Sequence, residues 1–266
     1  FENEYPDRKL LPEDPALSFI NYLLEDFGDE WVTKYMFHYR WYFEEDANNA
    51  STILPLSDLA TNMDDGTLKE VKKMIHDRQH GRLWVVGSND TTAKLIDSSY
   101  RRFVKLMDDH LSVSRFLFGE KPSSADFAIY GQLTQLIGFD PTSRRIASEN
   151  SLRLVSWVDV MADLSGHDVN NSNWTSLEDS PPSLKEIMKE FGQMYVPALL
   201  ANAKAIMEGD ETWETEIDGS TWKQKAFPYQ AKCLKWIKEE FNTLSKNDKT
   251  RIKTFLEGTG CEAILD

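Results

Sequence analysis

The side chains most able to do chemistry gather on one stretch, Trp31-Val-Thr-Lys-Tyr-Met-Phe-His-Tyr-Arg-Trp-Tyr-Phe43. At helical spacing Trp31, Tyr35, His38 and Tyr42 share one face, while Val32, Met36, Tyr39 and Phe43 take the adjacent one. So much ring area on two faces requires contact on both, either as the floor under an apolar ligand or as plain packing and interface. Arg40 could grip a ligand or partner carboxylate with both arms of its guanidinium. Its plainer use, and the one the spacing favours, is a surface pair with Glu44 four residues on.

Other candidates carry less. His76 and His80 stand four apart with Asp77 between them, a loose echo of the helical zinc motif, but no third ligand is near. Favourable charge at the end of a helix, just before Gly81, explains them as well, so no metal is expected. Glu44-Glu45 and Asp64-Asp65 are adjacent pairs that point apart on a helix and read as solvated charge. Asp29 and Glu30 follow Gly28, where acids suit a helix start. Cys233 lies on the apolar side of its segment and reads as an inert core thiol. Cys261 has no neighbouring cation to activate it. No serine-nucleophile elbow, phosphate loop or dinucleotide fingerprint occurs, so no catalytic residue is assigned.

Helices must position these groups. The chain of 266 residues, 41% hydrophobic and 28% charged, can bury a sizeable core. A formal charge of -14 opposes binding to phosphate backbones or anionic membrane surfaces, and no apolar run is long enough to span a bilayer. Two cysteines make no disulfide framework, so a reducing cytoplasm is the default compartment. Four Asn-x-Ser/Thr sequons, at Asn49, Asn89, Asn170 and Asn173, move that only slightly.

The clearest helix start is Gly119-Glu-Lys-Pro-Ser-Ser-Ala-Asp-Phe127. Ser123 caps the first turn and Asp126 reaches back to its amide, opening an apolar helix through Phe127, Ile129, Tyr130, Leu133, Leu136 and Ile137. Ala125, Ala128 and Gly131 offer small faces for close neighbours. Around this rod the periodicity predicts helices over 16–45 with a break or kink at Gly28, from a Thr67 capping box to Gly81, over 92–111 and over 152–164. Residues 47–66 read as a polar loop, and 165–182 as a boundary. Beyond it, Ser183 with Glu186 forms another capping box, Pro197 interrupts the helix, and Asp218-Gly219 turns a small hairpin. Two last helices carry Cys233 and the Ser245/Asp248 cap.

The Gly-x-x-Pro-Ser-x-Ala-Asp-Phe pattern resembles the start of the central helix in the C-terminal domain of cytosolic glutathione transferases. The Tyr5-Pro6 and Leu10-Leu11-Pro12 segment is similar to that family's interdomain linker, and the order of helices fits as well. Tyr-Gln-Ala-Lys-Cys233 and Gly258-Thr-Gly-Cys-Glu262 resemble a C-terminal extension of some bacterial members. The resemblance implies an all-α fold: linker 1–14, a glutathione-transferase-like helical domain 15–180, and a mostly helical extension 181–266 with one small β-hairpin. It implies a thioredoxin-like domain upstream, which would bind glutathione as co-substrate and activate its thiol, leaving this chain with little thiol-transfer activity by itself. Trp31, Tyr35, His38 and Tyr42 would then hold a small apolar electrophile, with Arg40 near a glutathione carboxylate. A homodimer is expected, with residues 181–266 as a possible protein-docking surface. The rival readings are a non-catalytic scaffold or assembly module on the same fold and a small-molecule carrier.

Overall fold

A computed structural model of the chain describes Glu2, residues 4–168 and residues 173–265, the side chain of Asp7 excepted. The protein is mostly helical, with one small two-stranded antiparallel sheet. The sequon at Asn170 lies outside the described residues. No helix among them is long and apolar enough to cross a membrane.

The first helix, α1 (Pro15–Phe27), starts where Asp14 accepts the Leu17 amide and Pro15 occupies the first helical position. Gly28 does not break the rod. Gly28–Val32 forms one π turn, and the chain continues directly as α2 (Thr33–Tyr42). The glycine serves proximity instead: a Cβ there would sit 3.0 Å from the Ile129 nitrogen and 3.1 Å from the Ala128 Cβ. The helix that presses on it is α6 (Ser124–Leu136).

That helix begins with the expected device, fully buried. The Ser123 amide and hydroxyl both donate to Asp126 Oδ2 at 2.8 Å, and the Leu117 amide donates to Oδ1 at 2.9 Å. The carboxylate thereby ties the preceding loop to the cap. Burial pushes Asp126 up to about 6, with these donors pulling the other way. Ala125, Ile129, Leu133 and Leu136 are sealed in the core, against α1, α2 and α8 (Leu152–Ala162) among others. Gly131, expected to seat a neighbour, is exposed with nothing within 4 Å of its would-be Cβ. One flank of the central helix is thus open.

Two starts and one loop differ from expectation. Residues 47–66 are largely helical: α3 (Glu44–Asp58) buries Asp46, Ala47, Ala50, Ser51 and Pro55. Small and polar residues carry its inner stripe, so apolar periodicity is silent there. It is followed by α4 (Asp65–His80), capped by Asp64, which accepts the Thr67 amide at 3.0 Å and hydroxyl at 2.7 Å; Thr67 is not the cap. Leu68, Val71 and Ile75 are only half-buried, and Met74 is exposed. After α5 (Ala93–Leu111) and α7 (Pro141–Asn150), α9 (Pro182–Glu190) is led by prolines, while the Ser183 hydroxyl meets His110 Nδ1 at 2.9 Å. A second π turn, Phe191–Tyr195, joins α9 to α10 (Val196–Glu208), leaving Pro197 in the opening turn of the latter.

Strands β1 (Thr212–Ile217) and β2 (Ser220–Lys225) pair across Asp218-Gly219, both at positive φ, the turn that the Asp-Gly pair favours. They bury Trp213, Ile217 and Trp222. Helix α11 (Pro228–Thr243) follows, then α12 (Lys246–Leu256), started by the expected Ser245 cap. The core does not break at residue 180. Phe19 meets Phe241 at 5.4 Å, Phe27 meets Phe191 at 5.4 Å, and Trp31 meets Trp222 at 5.3 Å. Apolar side chains from Ala16 to Leu265 form one continuous cluster.

Candidate functional site

The aromatic stretch lies inside the protein, and its side chains part company there. Trp31, Tyr35 and His38 have no exposure, Arg40 has 8%, and Tyr42 is half-buried. Trp31 Nε1 donates to the Tyr35 hydroxyl at 2.9 Å. Tyr35 and Ser99 hydroxyls are 2.6 Å apart, and Ser99 donates to Glu190 at 2.6 Å. Since Ser99 spends its proton on Glu190, Tyr35 donates to Ser99, and the three bonds point one way. Arg102 closes the row with 2.8 and 3.2 Å bonds to Glu190 and a 2.9 Å pair to Asp218 at the hairpin turn. Burial, reinforced by the Glu190 charge, holds the Tyr35 phenol protonated far above its ordinary range.

His38 and Tyr42 turn to another partner set. His38 Nδ1 lies 2.8 Å from the Ser88 hydroxyl, its ring stacks on Tyr42 at 4.7 Å, and Nε2 has no hydrogen-bond partner. Burial pulls this imidazole down to about 4, so it is neutral at physiological pH. The Tyr42 hydroxyl donates to Asp90 at 3.0 Å.

Arg40 does not pair with Glu44. Its Nε and Nη2 grip Asp140 at 2.9 and 3.0 Å, and Nη2 also donates to Gln135 at 2.8 Å. Asp140, fully buried ahead of α7, offers a geometry-matched carboxylate that an exposed Glu44 cannot. Burial pushes Asp140 up to about 6, and the guanidinium restrains that rise. The clefts described below are lined by none of Trp31, Tyr35, His38, Arg40 and Tyr42.

A second polar row runs along the same rod: Asp26, Glu30 and Lys34, four residues apart, with Glu30 in the mid-rod π turn rather than at the helix start expected after Gly28. Asp26 accepts the Tyr195 hydroxyl at 2.8 Å and the Cys233 thiol, and burial pushes it up to about 7. Glu30 is hydrogen-bonded to Gln230. Lys34, 2% exposed, has its ammonium 5.7 Å from the Trp31 ring and 6.0 Å from that of Trp222. Burial pulls it down to about 8, with Glu30 opposing. Spacing by four inside an aromatic-rich helix was the available signal. A lysine so depressed has nucleophile character, but Lys34 borders none of the described clefts.

The thiols carry no such promise. Burial pushes Cys233 up, as does neighbouring Asp26, and burial pushes Cys261 up to about 12. His76 and His80 stack at 5.8 Å, and His80 Nδ1 faces the Trp41 carbonyl at 3.1 Å. Among the described residues no cluster of three or more His, Cys, Asp or Glu could hold a metal ion.

Concave surface lies at the periphery. A cleft of 480 Å³ separates the N-terminal segment from Lys121 and Trp174, one of 410 Å³ runs along α8 beside Leu152 and Val160, and one of 340 Å³ opens between α1 and α11. Comparison of the chain with protein-family models, curated proteins and solved structures gives no match.

Proposed function

We propose that the chain is the helical half of a glutathione-transferase-like protein, in which a thioredoxin-like domain of the same protein activates glutathione and this half holds an apolar electrophile. The observation that carries the reading is the buried capping device: Ser123 and Asp126, both without exposure, launch α6 beside the rod of α1 and α2. A carboxylate kept dry to fix one turn is a specific requirement rather than a common surface cap. Within this reading the electrophile is held by a peripheral cleft, because the interior ring face is filled by its own side chains.

That same filling favours a second reading, a non-catalytic scaffold on the same fold. Packed rings and a last third built into the common core serve rigidity more directly than substrate exchange. The test is to express the chain together with its natural upstream coding sequence, then measure retention on immobilised glutathione and conjugation of 1-chloro-2,4-dinitrobenzene. Retention with measurable conjugation supports the transferase. Folded protein that neither binds glutathione nor conjugates rules it out, and self-association of that protein by light scattering supports the scaffold.

A further inference from the structure

The cleft between α1 and the end of α11 has a chemical bias. Its apolar walls include Leu11, Phe19 and Leu244, and its polar lining includes Tyr22, Glu25 and Glu240, with no lysine, arginine or histidine. At 340 Å³ it lies within the size range of small-molecule sites. Glu25 is held in place: Ser124 Oγ donates to its Oε2 at 2.5 Å, and Asn21 Nδ2 donates to that same hydroxyl at 2.7 Å. Glu240 stands exposed on α11 with no ion pair among the described residues. Two carboxylates therefore face one apolar hollow, and a tyrosine ring stands with them. Burial pushes the Tyr22 phenol up to about 12, and Asp26, Glu240 and Glu25 add to that through their negative charge.

We propose that this cleft binds an organic cation with an apolar body, its ammonium seated by Glu25 and Glu240 beside the Tyr22 ring and its hydrocarbon part against Leu11, Phe19 and Leu244. An ammonium gains charge-assisted hydrogen bonds from the carboxylates and a favourable approach to the aromatic face. Anionic ligands of the same shape meet two like charges. The site stands apart from the glutathione reading, and either can fail alone.

Isothermal titration of the full chain with phenethylammonium, 2-phenylethanol and 3-phenylpropionate tests it, since the three share a ring and differ in charge. Saturable binding of phenethylammonium is expected, about tenfold or more tighter than the alcohol, with no detectable binding of the carboxylate. E240Q, at an exposed position with little structural duty, should weaken the ammonium about tenfold, as should E25Q, whose amide oxygen can still accept from Ser124. E216Q on β1, outside the cleft, should leave binding unchanged. Equal affinity for the alcohol and the ammonium, or unaltered ammonium binding in E240Q, overturns the proposal.

Discussion

Two polar rows share the α1–α2 rod and obey opposite rules. In the row from Trp31 through Tyr35, Ser99 and Glu190 to Arg102, each named donor meets an acceptor and the carboxylate meets a cation. In the row Asp26, Glu30 and Lys34, burial outweighs partnership, so Asp26 is pushed up to about 7 and Lys34 pulled down to about 8. Burial of polar groups is thus no single category. The first row welds α2, α5, α9 and the hairpin together, and the second holds charge states that the surroundings resist.

The sharpest way to break that contrast is E190A, which strands the Ser99 hydroxyl and leaves Arg102 with Asp218 as its one acidic partner among the described residues. It should lower stability by about 3 kcal/mol, seen as a fall in the urea midpoint, the exposed side of Arg102 moderating the loss. Y35F removes one hydroxyl from the middle of the same row and should cost about 1–2 kcal/mol by the same measurement. K34M, by contrast, exchanges a dry ammonium for a thioether of similar length. It should be neutral or stabilising by about 1 kcal/mol at pH 7, and a large loss would show that Lys34 is as well satisfied as Glu190.

The pH dependence sharpens the comparison further. Asp26 binds its proton more tightly folded than unfolded, so its contribution is complete below about pH 4 and is lost as pH rises through about 7. The difference in stability between wild type and D26N should therefore shrink or reverse across that window. Lys34 runs the other way: its contribution is present above about pH 10.5 and lost as pH falls through about 8. K34M should flatten that rise in pH-dependent urea titrations. The smallest effect belongs to H76A/H80A, which should stay within about 0.5 kcal/mol of wild type and show no zinc-dependent rise in melting temperature.

What could be read without coordinates was local. The Ser123–Asp126 cap, the Asp218-Gly219 turn and the Ser245 cap each depend on a few consecutive residues, and each stands where the sequence puts it. The α3 helix was hidden because its inner stripe is alanine, serine, aspartate and proline rather than leucine. Thr67 and Ser183 fit the cap pattern yet lost the position to Asp64 and Pro181, since a pattern cannot rank neighbouring candidates. Arg40 illustrates the larger gap. Glu44 was the nearest acid in sequence, while Asp140, 100 residues away, was the one that folding brought to the guanidinium. The Tyr35 row draws on four separated segments and leaves no periodic trace in any of them.

The two π turns, Gly28–Val32 and Phe191–Tyr195, meet each other in the core: Trp31 lies 5.8 Å from Tyr195, and Phe27 lies against Phe191. Each widened turn holds one surplus residue, and excising it would spin all later side chains of its helix by about 100°. Such an excision in one rod alone would tear Lys34 and Tyr35, or the whole of α10, from their opposite numbers. Descendants of this chain should accordingly keep both surplus residues, because Ser99 on α5 and Trp222 on β2, which meet Tyr35 and Lys34, turn with neither rod.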